Sequence, residues 1–511
     1  MPNPADARPR RPRVLDELGL PKTLPANAPD FLPLFGTGPD ALLLGLGPEP
    51  EGLAELLGLR GHVRYVETPD MAEQLGQDWR GRIPDGFEEL PADAFLSVAS
   101  SSRVILYRPG PRLFPGFWGP LVARLQLSLL PQAPAPDPKL VWLPGGEADL
   151  LRLELREAFE GLGYRVRELP DETALRALLA GGECPALYFS VNFRGLDLIG
   201  EAAHLLEAAG ARIAVWCVDN PLHLLSGIRS RFWTRLPLFV TDHWFVEPLK
   251  QLGAGLVRHL PLAARAQDLA GPARPPSPAR ADLAERLVFV GRSAFPGKAD
   301  FFAGCRVPDA AWTEARRLMD AGGRPDFGWW LTRLGIDRLW PGAEVRKAGF
   351  CAEEAGKAWR TDCLARAQAD LSGALTVFGD AEWRPLLPEG TDLRGPVDYY
   401  AALPDLCASA AACLNCTSPL LPHGLTQRHF DTWAFGGLLL TDATPGLDLF
   451  PLELTRAITF RTPRDIAPRF KALRASASGA EGLKNAWRAE LARAHTYAHR
   501  VQAVLEAVGL G

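Results

Sequence analysis

The sequence predicts an α/β protein of two parallel-sheet domains with a smaller α/β domain in front, and three observations predict it. Short apolar runs alternate with stretches of helical periodicity from residue 139 to 263 and again from 285 to 480. Such alternation specifies parallel sheets covered by helices on both faces. Between these regions, residues 264–284 are rich in Ala, Pro and Arg without an apolar period, as an interdomain linker is. Ahead of both, residues 131–138 (PQAPAPDP) are too proline-dense for a helix or a sheet interior, so a boundary is expected there and a new domain at Lys139.

Length and composition agree with this division. At roughly 150 residues per domain, a chain of 511 residues implies about three domains. Hydrophobic content of 47% and charged content of 23% are ordinary for a globular protein. The net charge of -4 argues against a general nucleic-acid or membrane-surface binder. Residues 1–30, with Arg8, Arg10, Arg11 and Arg13 among prolines, read as a basic disordered tail. No apolar run reaches the ~18 residues of a membrane span and no signal-peptide core is seen, so a cytoplasmic protein without an integral membrane segment is expected. The eight cysteines read as buried free thiols. Cys413 and Cys416 form a CxxC without a second pair or a His cluster nearby, and no metal site is expected.

Within the accessory domain (31–130), a strand at Ala41 to Leu46 runs into the turn Gly45-Leu46-Gly47, and a second strand, Val63 to Val66, ends at Glu67. This unit resembles the first motif of adenosylmethionine-dependent methyltransferases, where the acid would take a ribose. Pro50 stands where the third small residue belongs, which favours a tight turn without a cofactor.

In the domain 139–263, strands are predicted at Leu140–Leu143, Tyr164–Leu169, Ala186–Val191, Ile213–Val218 and Leu238–Val240. Polar residues directly after buried strands belong to the ligand-facing edge of a parallel sheet. Ser190 and Asn192 follow one strand, and Asp219, Asn220 and His223 follow another. Asp219 is the candidate general base for an acceptor hydroxyl, with His223 and His243 behind it. The competing reading makes Asp219 a capping or Asx-turn residue with equal weight, and packing beside Trp244 explains His243 better than catalysis does.

The domain 285–480 opens on Leu287-Val-Phe-Val, followed by Gly291 and Arg292, with Lys298 beyond. A helical insertion, 299–369, carries several aromatics, which core packing explains better than sugar stacking. Strands follow at Leu375–Phe378 and near Leu393. The stretch Leu414–Pro451 then compresses strand, loop, helix, Gly-Gly stop and strand into one unit. Thr417, Ser418, His423 and Gly424 would face one crevice at the end of its first strand, and Arg428 with the start of the following helix would suit an anion such as a diphosphate. Residues 481–511 are expected to form a long amphipathic helix.

The spacing from His423 to Asp431, followed by Gly436, resembles the E-x7-E signature of GT-B glycosyltransferases. The phrases RHFDTWAFGGLLLTD and WCVDNP resemble the spore-maturation (CgeB-type) glycosyltransferase-like family, including members from flagellar glycosylation loci, over residues 139–508. The resemblance implies two Rossmann-like domains facing a cleft, an acceptor side at 139–263, a donor side at 285–480 and a last helix crossing back to the first domain. It also implies site roles: Asp431 on the donor ribose, His423 by the donor sugar, Arg292 and Lys298 on the diphosphate, and Gly379, Gly395 and Val397 around the base. His423 and Asp431 replace the family's glutamates.

The expected function is transfer of a sugar from a nucleotide-diphosphate sugar to a protein or glycan hydroxyl, on a surface or flagellar acceptor, without metal or further cofactor. Arginines and a helix terminus would stabilise the departing diphosphate. A non-transferase of the same fold, an epimerase or a catalytically silent glycan or partner binder, stays open because of His423.

Overall fold

The structure, a computed structural model, describes residues 12–146, 149 and 151–511. Arg8, Arg10 and Arg11 lie outside the described residues. Residues 12–30, expected to belong to a disordered tail, are instead ordered: β1 (Arg13–Leu15) pairs antiparallel with β2 (Pro21–Thr23), and Val14 and Leu24 are buried. Single apolar anchors in a polar segment leave no periodic signal to read.

The first sheet holds β3 (Phe31–Phe35), β4 (Ala41–Leu44), β5 (Val63–Val66), β6 (Phe87–Glu89) and β7 (Arg103–Tyr107) in the order β3-β7-β4-β5-β6. Only β3 runs antiparallel to its neighbour. Its glycine turn is filled by protein. Gly45 and Gly47 adopt positive φ, and a Cβ on either would meet the Tyr107 side chain within 3.1 Å. Glu67 accepts the backbone N–H groups of Leu46 and Thr68, each at 2.8 Å, and burial pushes its carboxyl up to about 7. This carboxylate closes a turn and leaves no place for a ribose.

The second sheet consists of β8 (Ala135–Pro144), β9 (Arg165–Leu169), β10 (Glu183–Val191), β11 (Arg212–Cys217), β12 (Pro237–Val240) and β13 (Leu256–His259), all parallel, in the order β13-β12-β11-β10-β8-β9. The proline-rich stretch is not wholly linker, because β8 begins at Ala135 and pairs there with β10. β9 reaches β8 only from Leu140 onward. The prolines therefore sit on a locally open edge, where a missing N–H costs no ladder bond. Arg258 and His259 interrupt the apolar run of β13, which the sequence pattern missed.

The third sheet is β14 (Leu287–Val290), β15 (Leu375–Phe378), β16 (Asp392–Arg394), β17 (Ala412–Asn415), β18 (Leu439–Asp442) and β19 (Thr459–Phe460), again all parallel. Its order, β16-β15-β14-β17-β18-β19, is the 3-2-1-4-5-6 order of dinucleotide-binding folds. The strand order therefore reverses between β14 and β17. Two parallel-sheet domains facing a cleft, behind a small α/β domain, make this the GT-B architecture.

Two connections hold the pair together. The insertion between β14 and β15 forms helices Asp309–Asp320, Phe327–Arg333 and Val345–Asp370. Its Phe327, Trp330 and Trp340 are buried in the core of the second-sheet domain. The 26-residue helix Val345–Asp370, roughly 40 Å long, packs with that core at its start and with the third-sheet core at its end. At the C-terminus the expected single helix is two, Ala477–Ala494 and Tyr497–Ala507, broken where Thr496 starts a capping box. The break turns the last helix back onto the second-sheet domain, where Arg500 donates to the Pro261 and Leu262 carbonyls.

Candidate functional site

A cavity of about 720 Å³ opens at the reversal between β14 and β17. In an open parallel sheet that crevice is where ligands bind. Gly291 and Arg292 enter it from the end of β14, Asn415 and Cys416 from the end of β17, and Arg428 from the first turn of helix Arg428–Ala434. The second-sheet domain contributes Asp219 and His223 from the loop after β11. The long insertion helix adds Arg346, Glu353 and Arg360.

Four guanidinium groups thus converge on one cavity against the carboxylates of Asp219 and Glu353. Arg346 donates to Ser226 Oγ at 2.9 Å and lies over the Phe301 ring. Arg360 donates to the Ser293 carbonyl at 3.1 Å and faces Glu353 at 3.5 Å. Among the described residues, the buried Nε groups of Arg360 and Arg428 have no hydrogen-bond partner. His223, wedged among Phe301, Phe302 and Phe327, is driven down to about 3 by burial, so its ring is neutral.

A second cavity of about 740 Å³ continues between the domains and includes Asn192, Arg194, Tyr399 and Gln427. Asp219 and Arg428 line both cavities. The capping role proposed for Asp219 belongs to its neighbour: Asn220 accepts the N–H groups of Leu222 and His223 and donates to the Leu420 carbonyl across the cleft. Asp219 is therefore free of the local turn. Asn192, in a left-handed conformation at φ 55°, donates to Asp219 Oδ2 at 2.7 Å and accepts from the backbone N–H of Val218 and Asp219. The cleft walls raise the Asp219 pKa by desolvation, and the Asn192 bond opposes that rise.

The other expected site residues are dispersed. Asp431 lines neither cavity: its carboxylate, 4% exposed, accepts Tyr399 Oη at 2.5 Å and Gln427 Nε2 at 2.8 Å, and burial pushes it up to about 7. It reaches the cleft only through Tyr399 and Gln427. Thr417 turns inward, where its N–H and Oγ1 donate to Asp442, which Arg324 also approaches. Gly424 is buried against Leu421. Ser418 does line the cavity at the reversal. Lys298 pairs with Glu354 at 2.6 Å, outside the cavity lining. Gly379 packs under the Gly291 carbonyl, Gly395 is exposed and Val397 leans on the third-sheet core, all three away from both linings. The helix after the loop begins at Arg428 and has seven residues.

His423 also stands apart, with its N–H donating to Asp242 Oδ2 and its Nδ1 2.8 Å from His243 Nε2. Neither cavity lining includes it.

Arg346, Glu353 and Arg360 were not anticipated. Their signal was a seven-residue repeat: on a helix it puts them on one face, with Gly349 and Gly356 between them facing His223 and Pro419. That polar stripe with small gaps is unlike the apolar stripe of a packed helix. Nor does the CxxC act as a pair, since Cys413 adjoins Cys407 and Cys416 adjoins Cys363.

Among the described residues no helix is long and apolar enough to cross a membrane. Comparison with curated proteins finds no match. Among solved structures, a glycosyltransferase from Rickettsia africae is similar at 8% identity and a TM-score of 0.42, over 72% of this chain and 97% of that one. An Anabaena protein, HepE, in complex with UDP-glucose aligns at 10% identity and 0.43, over 72% and 99%. A UDP-forming α,α-trehalose-phosphate synthase from Burkholderia xenovorans aligns at 10% and 0.36, over 92% and 100%. Residues 359–506, from the end of the insertion helix to the last helix, match the family described as Glycosyl transferase-like, so this part of the chain has that family's sequence pattern, set on the second of the two facing domains of a GT-B fold.

Proposed function

We propose that the protein is a glycosyltransferase that takes a sugar from a nucleoside-diphosphate donor and joins it to a hydroxyl on a protein or glycan. The observation that carries this reading is the convergence of Arg292, Arg346, Arg360 and Arg428 on the reversal point of the third sheet, with the buried Nε of Arg360 and Arg428 unpartnered. A buried donor without a partner costs free energy unless a ligand meets it, and planar guanidinium groups suit phosphate oxygens.

In the reaction, the bond from the anomeric carbon to the diphosphate oxygen breaks as a bond to the acceptor oxygen forms. The charge left on the diphosphate is met by the arginines, which are held in place before the step. The acceptor proton passes to Asp219, whose raised pKa makes it a better base near neutral pH than an exposed aspartate. Asn192 is a positioning residue for that carboxylate. Asp431 is best placed to orient Tyr399 and Gln427, which face the acceptor-side cavity. The family match over residues 359–506 supports transfer of a sugar, and the acceptor we propose is a surface or flagellar protein or glycan.

The test is a thermal-shift screen with UDP, GDP, CDP and dTDP and their sugars. A rise in melting temperature with one nucleotide, abolished by Arg428→Ala and unaffected by Glu67→Ala, is expected. Absence of a shift with every nucleotide would overturn the donor assignment and leave a silent binder of the same fold. Interconversion of free nucleotide sugars without acceptor would make it an epimerase.

A further inference from the structure

Asp242 and His243 follow β12 of the second-sheet domain, and His423 lies in the loop after β17 of the third-sheet domain. The structure brings one ligand atom from each within 4.8 Å of the other two. His423 Nδ1 and His243 Nε2 lie 2.8 Å apart. A zinc ion with bonds of about 2.0–2.1 Å and tetrahedral angles holds its ligand atoms roughly 3.3 Å from one another, so small side-chain rotations suffice.

The carboxylate is already aimed. Asp242 Oδ1 accepts the Trp244 N–H at 2.8 Å and Oδ2 accepts the His423 N–H at 2.9 Å. Each oxygen keeps a further lone pair, and the two backbone bonds supply the outer support that orients a metal-bound carboxylate. His259, whose ring centroid is 5.5 Å from that of His243, donates from Nε2 to the Thr241 carbonyl at 3.2 Å and screens one side. His243 is exposed, so an ion has an entry path.

We infer that Asp242, His243 and His423 form a binding site for a first-row divalent cation, zinc above all, that clasps the two domains together. Two imidazole nitrogens with one carboxylate suit borderline cations and not magnesium or calcium, which prefer all-oxygen shells. The ion sits outside both cavities, so it is separate from the diphosphate site. Its place is structural: His423 belongs to the loop that leads from Ser418 to Arg428, and tying that loop to β12 fixes Arg428 relative to Asp219. The site stands on its own geometry, whether or not the transferase reading holds.

The experiment uses the full chain without a polyhistidine tag, stripped with a chelator and dialysed against equimolar Zn²⁺, with Mg²⁺ in parallel. One zinc per chain, a raised melting temperature and no response to magnesium are expected. His243→Ala and His423→Ala should each lower zinc affinity at least tenfold and remove the thermal effect. Should either variant fold poorly, the unmutated protein decides. Co²⁺ should give the visible absorption of a four-coordinate nitrogen and oxygen site, and Zn²⁺ should protect His243 from diethyl pyrocarbonate in peptide mass maps. Failure of the stripped protein to retain zinc, or retention undiminished in both variants with His243 unprotected, overturns the site.

Discussion

Asp219 and Arg428, carried by different domains, line both cavities of the cleft and so mark the place where the two meet. The carboxylate sits in the loop just after β11 on one side, and the guanidinium starts the helix after β17 on the other. A reaction that needs a base beside an acceptor and a cation beside a leaving diphosphate needs this juxtaposition.

Arg428→Ala should weaken nucleoside-diphosphate binding by about 2 kcal/mol, the usual worth of a hydrogen bond to a charged group. Calorimetric titration of the nucleotide found in the thermal screen measures it. Arg428→Lys should restore only part of the loss, because an ammonium cannot bridge two oxygens as a guanidinium does. Equal affinities in all three proteins would remove Arg428 from the site.

Asp219→Asn should lower the rate of transfer by roughly 10²- to 10⁴-fold while donor affinity stays within twofold. In the unmutated protein the rate should rise with pH through an acid limb above the ordinary aspartate range, since the base is active only when ionised. Asn192→Ala removes a bond that favours the ionised form, so it should move this limb to higher pH. An unmoved limb would show that Asn192 positions something else.

Asp431→Asn should stabilise the protein at pH 8 and hardly at all at pH 4. The folded carboxyl titrates near 7 and the unfolded one near 3.8, so between these values the unfolded state gives up its proton first. Stability therefore falls as pH rises across that window and stays low above it. The loss that the asparagine avoids is at most on the order of 4 kcal/mol. Melting temperatures of both proteins from pH 4 to pH 8 should diverge steadily. Parallel curves would mean that the Tyr399 and Gln427 bonds keep the carboxylate ionised.

Gly349→Ala should destabilise the protein by roughly 1–3 kcal/mol and weaken nucleotide binding as well. An added Cβ would stand 2.0 Å from His223 Nε2, and the helix that carries Arg346 and Arg360 would have to shift. Thermal melting with and without nucleotide separates the two effects. Gly482→Ala, where nothing lies within 4 Å, is the matched control.

Much of the fold was legible in the sequence. Apolar strands alternating with amphipathic helices can satisfy their backbone and bury their side chains only as parallel sheets, and this pattern is local. The same locality made Asp219, Asn192, Arg292 and Arg428 visible as residues at strand ends or helix starts. It did not show which way Asp431, Thr417 and His423 turn, because a residue in the loop or helix after a strand can face the cleft, the core or another domain. Which way it turns depends on Tyr399, Asp442 and Asp242, all distant in sequence.

The sequence by itself determined the parallel sheets, the glycine turn after β14 and the cationic residue that opens the helix after β17, since each is fixed by neighbours along the chain. Only the tertiary structure decided that an inserted helix would deliver Arg346 and Arg360 to the same cavity, that Tyr399 would cover Asp431, and that His243 would meet His423. Those meetings depend on how two separately formed cores dock, and docking is set by surface shape and long-range packing that no local pattern records.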